Sequence, residues 1–538
     1  MKRSRRSNSP LPPRPLRLLG GTGVAAAIAG LVVLVLWSIA AAASAEPAAA
    51  RTPVDVRHLL AMTTIQAGLT TVLSLLVGTA LAWALNRLRF PGRDLAVGLF
   101  ASAIVTPGIV VAFGLLAVWG RSGWVNAAWQ ALFGAPLDVP IFGLGGILAA
   151  HVLLDGAFAA RVLLGRLDAI PMARLKTGQS LALTPWTRFA VLDWPAIRGS
   201  LPGLAAIIFL LAFTSFPIVL LLGGGPANQT LEVAIYSAVR LDFDLNAAVL
   251  LALVQIGACS LVVLAAAGFG HVPASLGPVR QQRWSDRGWA QLAQWVVLGL
   301  GVLGFALPLA AILVDGFGTG LGALLQRPTF WRSAAASLVI ASLSAALTLL
   351  LALALGLGRA ASANPVFRTG IGVPSYAYLA TPAVVLALGI FLFVRNSGIS
   401  PDAAAPVVVV IANALLALPF AVATLGPPLD AIALSRGRVI RSLALGGWRQ
   451  FSDVEWPLVG RDAGLVVALA FCFSLGDLGV IALFGTQDFA TLPLLMVRSL
   501  GAYRTNDAAA IAAIMLSLTI LAFVAIPRLF GAIAHARA

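Results

Sequence analysis

Charge is scarce in this chain: only 10% of its 538 residues are Asp, Glu, Lys or Arg, against 60% hydrophobic. Soluble domains carry about 25% charged residues. A surface this apolar has no stable form in water, and its natural solvent is lipid. Cysteine is nearly absent. Cys259 and Cys472 each fall inside an apolar run, which excludes a disulfide scaffold or a thiolate zinc site. The four histidines, His58, His151, His271 and His535, are scattered and form no His-Glu-x-x-His pair, so no catalytic metal is expected. Lysine occurs twice, at Lys2 and Lys176. Lys176-Thr177 has Ile170 and Leu175 where a phosphate-cradling loop needs glycines, so the chain lacks that route to binding ATP. The net charge of +16 sits in short runs between apolar stretches, a distribution that fits membrane topology and not nucleic-acid binding.

What fills the chain instead is a series of long apolar runs. Twelve are about the length of a membrane helix: Leu18–Ala41, Leu60–Leu85, Leu95–Val118, Ile141–Leu163, Leu201–Leu222, Ala247–Phe269, Leu292–Leu313, Ala334–Leu357, Ile371–Val394, Pro406–Leu425, Gly464–Phe484 and Ala508–Ile526. Lipid leaves backbone polar groups no partner outside their own segment, so the expected class is an all-α polytopic membrane protein. The first run ends near Ala43-Ser44-Ala45, which has the look of a signal-peptidase site, but its length favours a retained helix. Arginine marks every even-numbered connection: Arg87, Arg89 and Arg93; Arg166, Arg174, Arg188 and Arg198; Arg280, Arg283 and Arg287; Arg359 and Arg368; Arg436, Arg438, Arg441 and Arg449. The positive-inside rule then predicts both termini in the cytoplasm, as in a bacterial inner-membrane protein.

The chain repeats itself. SLALTPWTRFAVLDWP from Ser180 and SLALGGWRQFSDVEWP from Ser442 share eight of sixteen positions at an offset of 262. TPGIVVAFGLLAVWGRSG from Thr106 is echoed by TPAVVLALGIFLFVRNSG from Thr381 at an offset of 275. The echoes predict two like halves of six spans each in parallel orientation, residues 1–272 and 289–538, joined by a basic linker at 273–288. A pathway between two like halves is the natural consequence.

The two longest inside loops, about residues 165–200 and 428–460, carry the stronger repeat and two tryptophans each: Trp186 and Trp194, then Trp448 and Trp456. Tryptophan and arginine concentrate at the energetic centres of protein interfaces, so a docked partner is expected there. Their spacing resembles the cytoplasmic EAA loop of ABC-importer permeases. Its Glu-Ala-Ala place holds Lys176-Thr177-Gly178 and Arg438-Val439-Ile440, its turn glycine is Ala182 or Ala444, and its end is Asp193-Trp194-Pro195 or Glu455-Trp456-Pro457. A residue with a Cβ resists a left-handed turn by about 1 kcal/mol; Thr184-Pro185 and Gly446-Gly447 are alternative places for it. Three further stretches, LGGGPANQTLEVAIYSAVRLDFDLNAA from Leu222, SLGDLGVIALFGTQDFATLPLL and SLGAYRTNDAA, resemble the fused thiamine permeases, whose ferric-iron relatives share the same outline.

That resemblance implies a type I importer permease that is not itself an enzyme. Its partners would be two copies of a cytosolic ATPase holding ATP and Mg, and a periplasmic binding protein. The implied ATPase-coupling residues are Gly178, Ser180, Leu181, Ala182, Leu183, Trp186, Trp194 and Pro195 in one loop. In the other they are Arg441, Ser442, Leu443, Ala444, Leu445, Trp448, Trp456 and Pro457. Two carboxylates fall inside spans, where such groups are costly and often functional. Asp155, one turn after His151, is expected near the inner end of its span with an i,i+4 contact to that histidine. Asp477 follows Gly476 in a helix expected to break around a cavity, where it would face a cationic cargo. The rivals are a ferric-iron importer and an ion-coupled secondary transporter; the latter has no need of two matched docking loops.

Overall fold

The computed structural model describes residues 15–45, 54–137, 139–266, 284–318, 320–362, 364–377 and 381–536, so most of the expected 273–288 linker lies outside the described residues. Every regular element among them is a helix. The first series is α1 (Pro15–Ala45), α2 (Val56–Arg87), α3 (Arg93–Ser102), α4 (Gly108–Trp119), α5 (Trp124–Phe133), α6 (Leu144–Asp168), α7 (Met172–Ser180), α8 (Pro185–Arg188), α9 (Trp194–Ile197), α10 (Leu201–Phe213), α11 (Pro217–Leu222), α12 (Leu231–Arg240) and α13 (Leu245–Ala266). The second is α14 (Trp289–Gly316), α15 (Leu321–Leu325), α16 (Pro328–Ala361), α17 (Pro365–Ala377), α18 (Ala383–Asn396), α19 (Pro401–Ser442), α20 (Gly447–Gln450), α21 (Trp456–Gly476), α22 (Gly479–Phe484), α23 (Leu492–Gly501) and α24 (Thr505–His535).

The chain is an all-α polytopic membrane protein, but not one of twelve unbroken spans. Among the described residues ten helical segments are long and apolar enough to cross a membrane, and the count is eleven if α8–α9 and α10, bent by 64°, form one span. Proline starts the new helix at three of the breaks. It lacks an N–H and pushes the residue before it out of the helical region. Pro107 and Pro382, both extended at ψ 135° and 155°, therefore start α4 and α18 afresh inside the expected third and ninth spans. Pro217 restarts α11 inside the fifth. The eleventh breaks at Asp477, where the backbone turns extended between α21 and α22.

The same devices recur in both series. The first amide of α12 donates to Thr63 Oγ1 on α2 at 3.0 Å, and that of α23 donates to Ser337 Oγ on α16 at 2.8 Å. The sequence Leu-Asp-Ala-Ile appears at 167–170 and 429–432. Asp168 accepts from Asn86 at 2.8 Å, and Asp430 pairs with Arg368 at 2.8 Å.

The first helix of each series packs on the other series: α1 against α16 and α18, α14 against α2 and α4. Glycine makes these crossings close, as small residues do where lipid supplies no driving force for association. A Cβ on Gly114 of α4 would lie 2.9 Å from Pro308 O of α14, and one on Gly389 of α18 would lie 3.1 Å from Val35 O of α1. Both glycines come from the Thr-Pro echo.

Candidate functional site

Two hooks project from the fold, one per series. In the first, α7 ends at Ser180 and the chain reverses through Ala182 at φ 49°; in the second, α19 ends at Ser442 and reverses through Ala444 at φ 49°. Alanine itself therefore takes the left-handed turn, and neither Thr184-Pro185 nor Gly446 replaces it; Gly447 is a second left-handed residue, at φ 56°. The reason is the hydrogen bonding that ends a helix. Leu183 N–H reaches back to Gly178 O at 3.3 Å and Leu445 N–H to Ile440 O at 3.0 Å, which is possible only if the intervening residue is left-handed.

Beyond each turn comes a short helix, then a single π-helical turn, Phe189–Asp193 or Phe451–Glu455. Pro195 and Pro457 follow in the first turn of the next helix, where a missing N–H costs nothing. The tips are apolar and bare. Trp186 is 74% exposed and Trp448 71%, with Leu181 and Leu443 exposed beside them. Each exposed indole rests on the first residue of its π turn, with Trp186 6.0 Å from Phe189 and Trp448 5.4 Å from Phe451. Ser180, Ser442 and Pro195 are exposed as well, and Trp194 is 42% exposed. Trp456 departs from the expected surface position: it is half-buried between Phe451 and Phe530. Gly178 is buried, and a Cβ there would meet the Trp284 ring at 2.9 Å. The Arg441 side chain lies outside the described residues.

Behind the tips the hooks are anchored differently. In the first, Asp193 pairs with Arg87, and Asp286 lies 3.6 Å from Arg87 and 3.4 Å from Arg188. Gln294 donates to Asp286 at 2.8 Å, and Arg188 stacks 3.9 Å over Trp284 while donating to its carbonyl. All four charges are buried. In the second, Glu455 takes the place of Asp193, pairs with Arg17 of α1 at 2.6 Å and accepts from Gln450. Both hooks are thus fastened to the segment that opens the other series: Asp286 just before α14, and Arg17 in α1.

A cavity of about 260 Å³ lies between the series, walled by α10 on one side and by α18, α19 and α21 on the other. Most of its lining is apolar; Thr214, Thr381, Asn413 and Asp477 supply the polar atoms. Asp477 sits at the helix break as the sequence suggests. Its Oδ2 accepts the Val480 N–H at 3.3 Å, which ties the carboxylate to the start of α22. Asn413 Nδ2 donates to Ser474 Oγ at 2.9 Å, while its buried Oδ1 has no hydrogen-bond partner among the described residues.

Asp155 is not part of this cavity and is not at the end of its helix. It lies midway along α6, buried against α2. The expected bond to His151 is not made: His151 Nδ1 turns to Ile147 O at 2.8 Å and to Gln66 at 3.4 Å, leaving His151 Nε2 and Asp155 Oδ2 without hydrogen-bond partners among the described residues. The backward tilt of helical side chains brings the histidine to the carbonyl four residues earlier.

Two kinds of group escaped the sequence reading. Arg87 and Arg188 were counted as loop charges, yet both are fully buried ion partners. Glu232, in the first turn of α12, drew no notice within a polar stretch, yet it is wholly buried.

Comparison with known proteins places this architecture. No family model matches the chain. The thiamine transport system permease protein ThiP of Brucella melitensis is 36% identical over 507 residues, covering 92% of each chain. That of Salmonella typhimurium is 36% identical over 481 residues, 88% of this chain and 89% of the relative, and that of Escherichia coli is 35% identical over 480 residues with the same shares. A shorter match, 27% over 203 residues, is to a putative 2-aminoethylphosphonate transport system permease protein of Salmonella typhi. With kinship of this strength running through both series, the chain belongs to the family of thiamine transport system permease proteins.

Proposed function

We propose that the chain carries thiamine inward across the bacterial cytoplasmic membrane as the membrane-spanning part of an ATP-driven importer. The observation that carries this reading is the pair of matched, exposed Trp-tipped hooks in a chain 36% identical to thiamine transport permeases over 92% of its length. Each hook would seat one cytosolic ATPase subunit, which holds ATP and Mg; the chain itself binds neither and catalyses nothing. The arginine-rich connections support a cytoplasmic side for the hooks and both termini, and a binding protein would deliver cargo to the opposite face. The divisions at about residues 272 and 289 separate the two halves that share the pathway.

The mechanism follows from two-state logic. ATP drawing its subunits together pulls on both hooks, and the tilt reaches the cavity because the hooks are fastened to the first helices. The population then shifts toward whichever opening the ATP-bound pair fits better. The cavity supplies an apolar path with one carboxylate, Asp477, for a cationic organic cargo. A bare ferric ion calls for a set of hard oxygen ligands.

Uptake of labelled thiamine and of labelled ferric complexes tests the cargo, in cells lacking their own transporters for both. Thiamine accumulation is expected; iron accumulation without thiamine overturns the reading. Asp477→Asn should lower thiamine uptake roughly tenfold, the effect of about 1.4 kcal/mol at one charged contact, with the ATPase still co-purifying.

A further inference from the structure

Glu232 is the least explained charge in the protein. It lies in the first turn of α12 with none of its surface exposed. Gln255 Nε2 of α13 donates to its Oε1 at 3.0 Å, and Oε2 has no hydrogen-bond partner among the described residues. A buried acid is costly when nothing cationic answers it. From its own half it is faced by Gln255 and Cys259 of α13; from the other half α18 packs on α12, with the Val384 amide directed at the carboxylate and Asp477 near enough for the two charges to interact. Val384 directly follows Thr381, Pro382 and Ala383, which line the cavity together with Asp477. The first turn of α18 thus adjoins both the Glu232 carboxylate and the cavity.

A structural role for the acid explains less. Pinning α12 to α13 needs only a hydrogen bond, which glutamine would also make. The second series builds its matching helix, α23, with Pro493 at the corresponding second position and no acid at all. The α12–α18 contact crosses between the halves, so it is a surface that must slide when the halves alternate.

We propose that Glu232 is a specificity-determining residue for cargo charge: when α12 and α18 part, its carboxylate joins Asp477 on the wall of the pathway and the two acids select an organic cation. This rests on the transport reading above. The permanent positive charge of a thiazolium ring is the feature they would recognise, and the apolar remainder of the lining is indifferent to it.

The test compares uptake of thiamine with uptake of its neutral isostere, in which carbon replaces the ring's quaternary nitrogen, by the full complex with its ATPase and binding protein in proteoliposomes. Glu232→Gln should lower the thiamine-to-isostere uptake ratio at least roughly fivefold, with ATPase co-purification and basal ATP hydrolysis unchanged. If that variant assembles poorly, the double variant Glu232→Gln with Gln255→Glu restores the hydrogen-bonded pair with the acid moved to α13; assembly should recover and the ratio should stay low. An unchanged ratio in Glu232→Gln, with normal wild-type thiamine uptake, overturns this inference alone. Absence of thiamine uptake by the unsubstituted complex overturns the transport reading and this inference together.

Discussion

The two hooks share an outward face but only part of their anchoring. Alanine turn, π turn and exposed tryptophan recur in both, and each hook offers an acid, Asp193 or Glu455, to an arginine outside it, but only the first adds a cation, Arg188, that pairs with an outside acid, Asp286. The place of Arg188 holds Gln450, 262 residues on. A surface that must fit one partner twice is held constant by that partner. An anchor has to satisfy only its own chain, so a second ion pair can be present in one hook and absent from the other. Under the proposed docking, the difference separates the side of each loop that would face a partner from the side that holds it to its own chain.

The largest effect expected from breaking the comparison is at the anchors. Asp286→Ala leaves two buried arginines short of a partner and should cost about 3–5 kcal/mol, seen as a steep fall in thermal stability of the detergent-solubilised protein. Arg17→Ala should cost only about 1–2 kcal/mol, because Gln450 still donates to Glu455 and water reaches that site more easily. Equal losses in the two variants would erase the distinction between the anchors.

Next come the tips. Trp186→Ala and Trp448→Ala should each weaken ATPase docking by about 2 kcal/mol, measured by co-purification across a dilution series, with stability of the permease itself unchanged. Because the tips are equivalent, each single variant should retain one docked subunit and the double variant none. Wild-type recovery of ATPase by the double variant would remove the tips from the interface.

The smallest effect sharpens the likeness between the hooks. Ala182→Gly and Ala444→Gly each relieve a left-handed turn, but glycine also loosens the unfolded chain, so the net gain should be under about 1 kcal/mol and equal in both. A loss of stability in either would mean that the methyl group packs against something in that hook.

Much of this was legible beforehand. Apolar run lengths announced the helices, the repeat announced the paired hooks, and Gly476 beside Asp477 announced the broken helix. The buried charges were missed for one cause: their partners are remote in sequence. Arg87 meets an acid 106 residues away and Arg188 one 98 residues away, so charge counting saw two loop arginines where the fold has a buried network. Glu232 faces Val384 across the boundary between the halves, and no local period marks it. The Thr-Pro pairs were visible as an echo, but a hydropathy average runs straight through the helix breaks they impose.

The interlaced first helices impose an order on synthesis. The seat of α1 is on α16 and α18, which the ribosome makes some 300 residues later. At roughly 5–20 residues per second that is a wait of about 15–60 s. Throughout it, α1 stands in the bilayer with Val35 and Ile39, both sealed in the finished protein, turned to lipid or to a chaperone. Separate expression of the halves would lengthen that wait until the two chains meet, so co-insertion from one message is the arrangement that keeps it short.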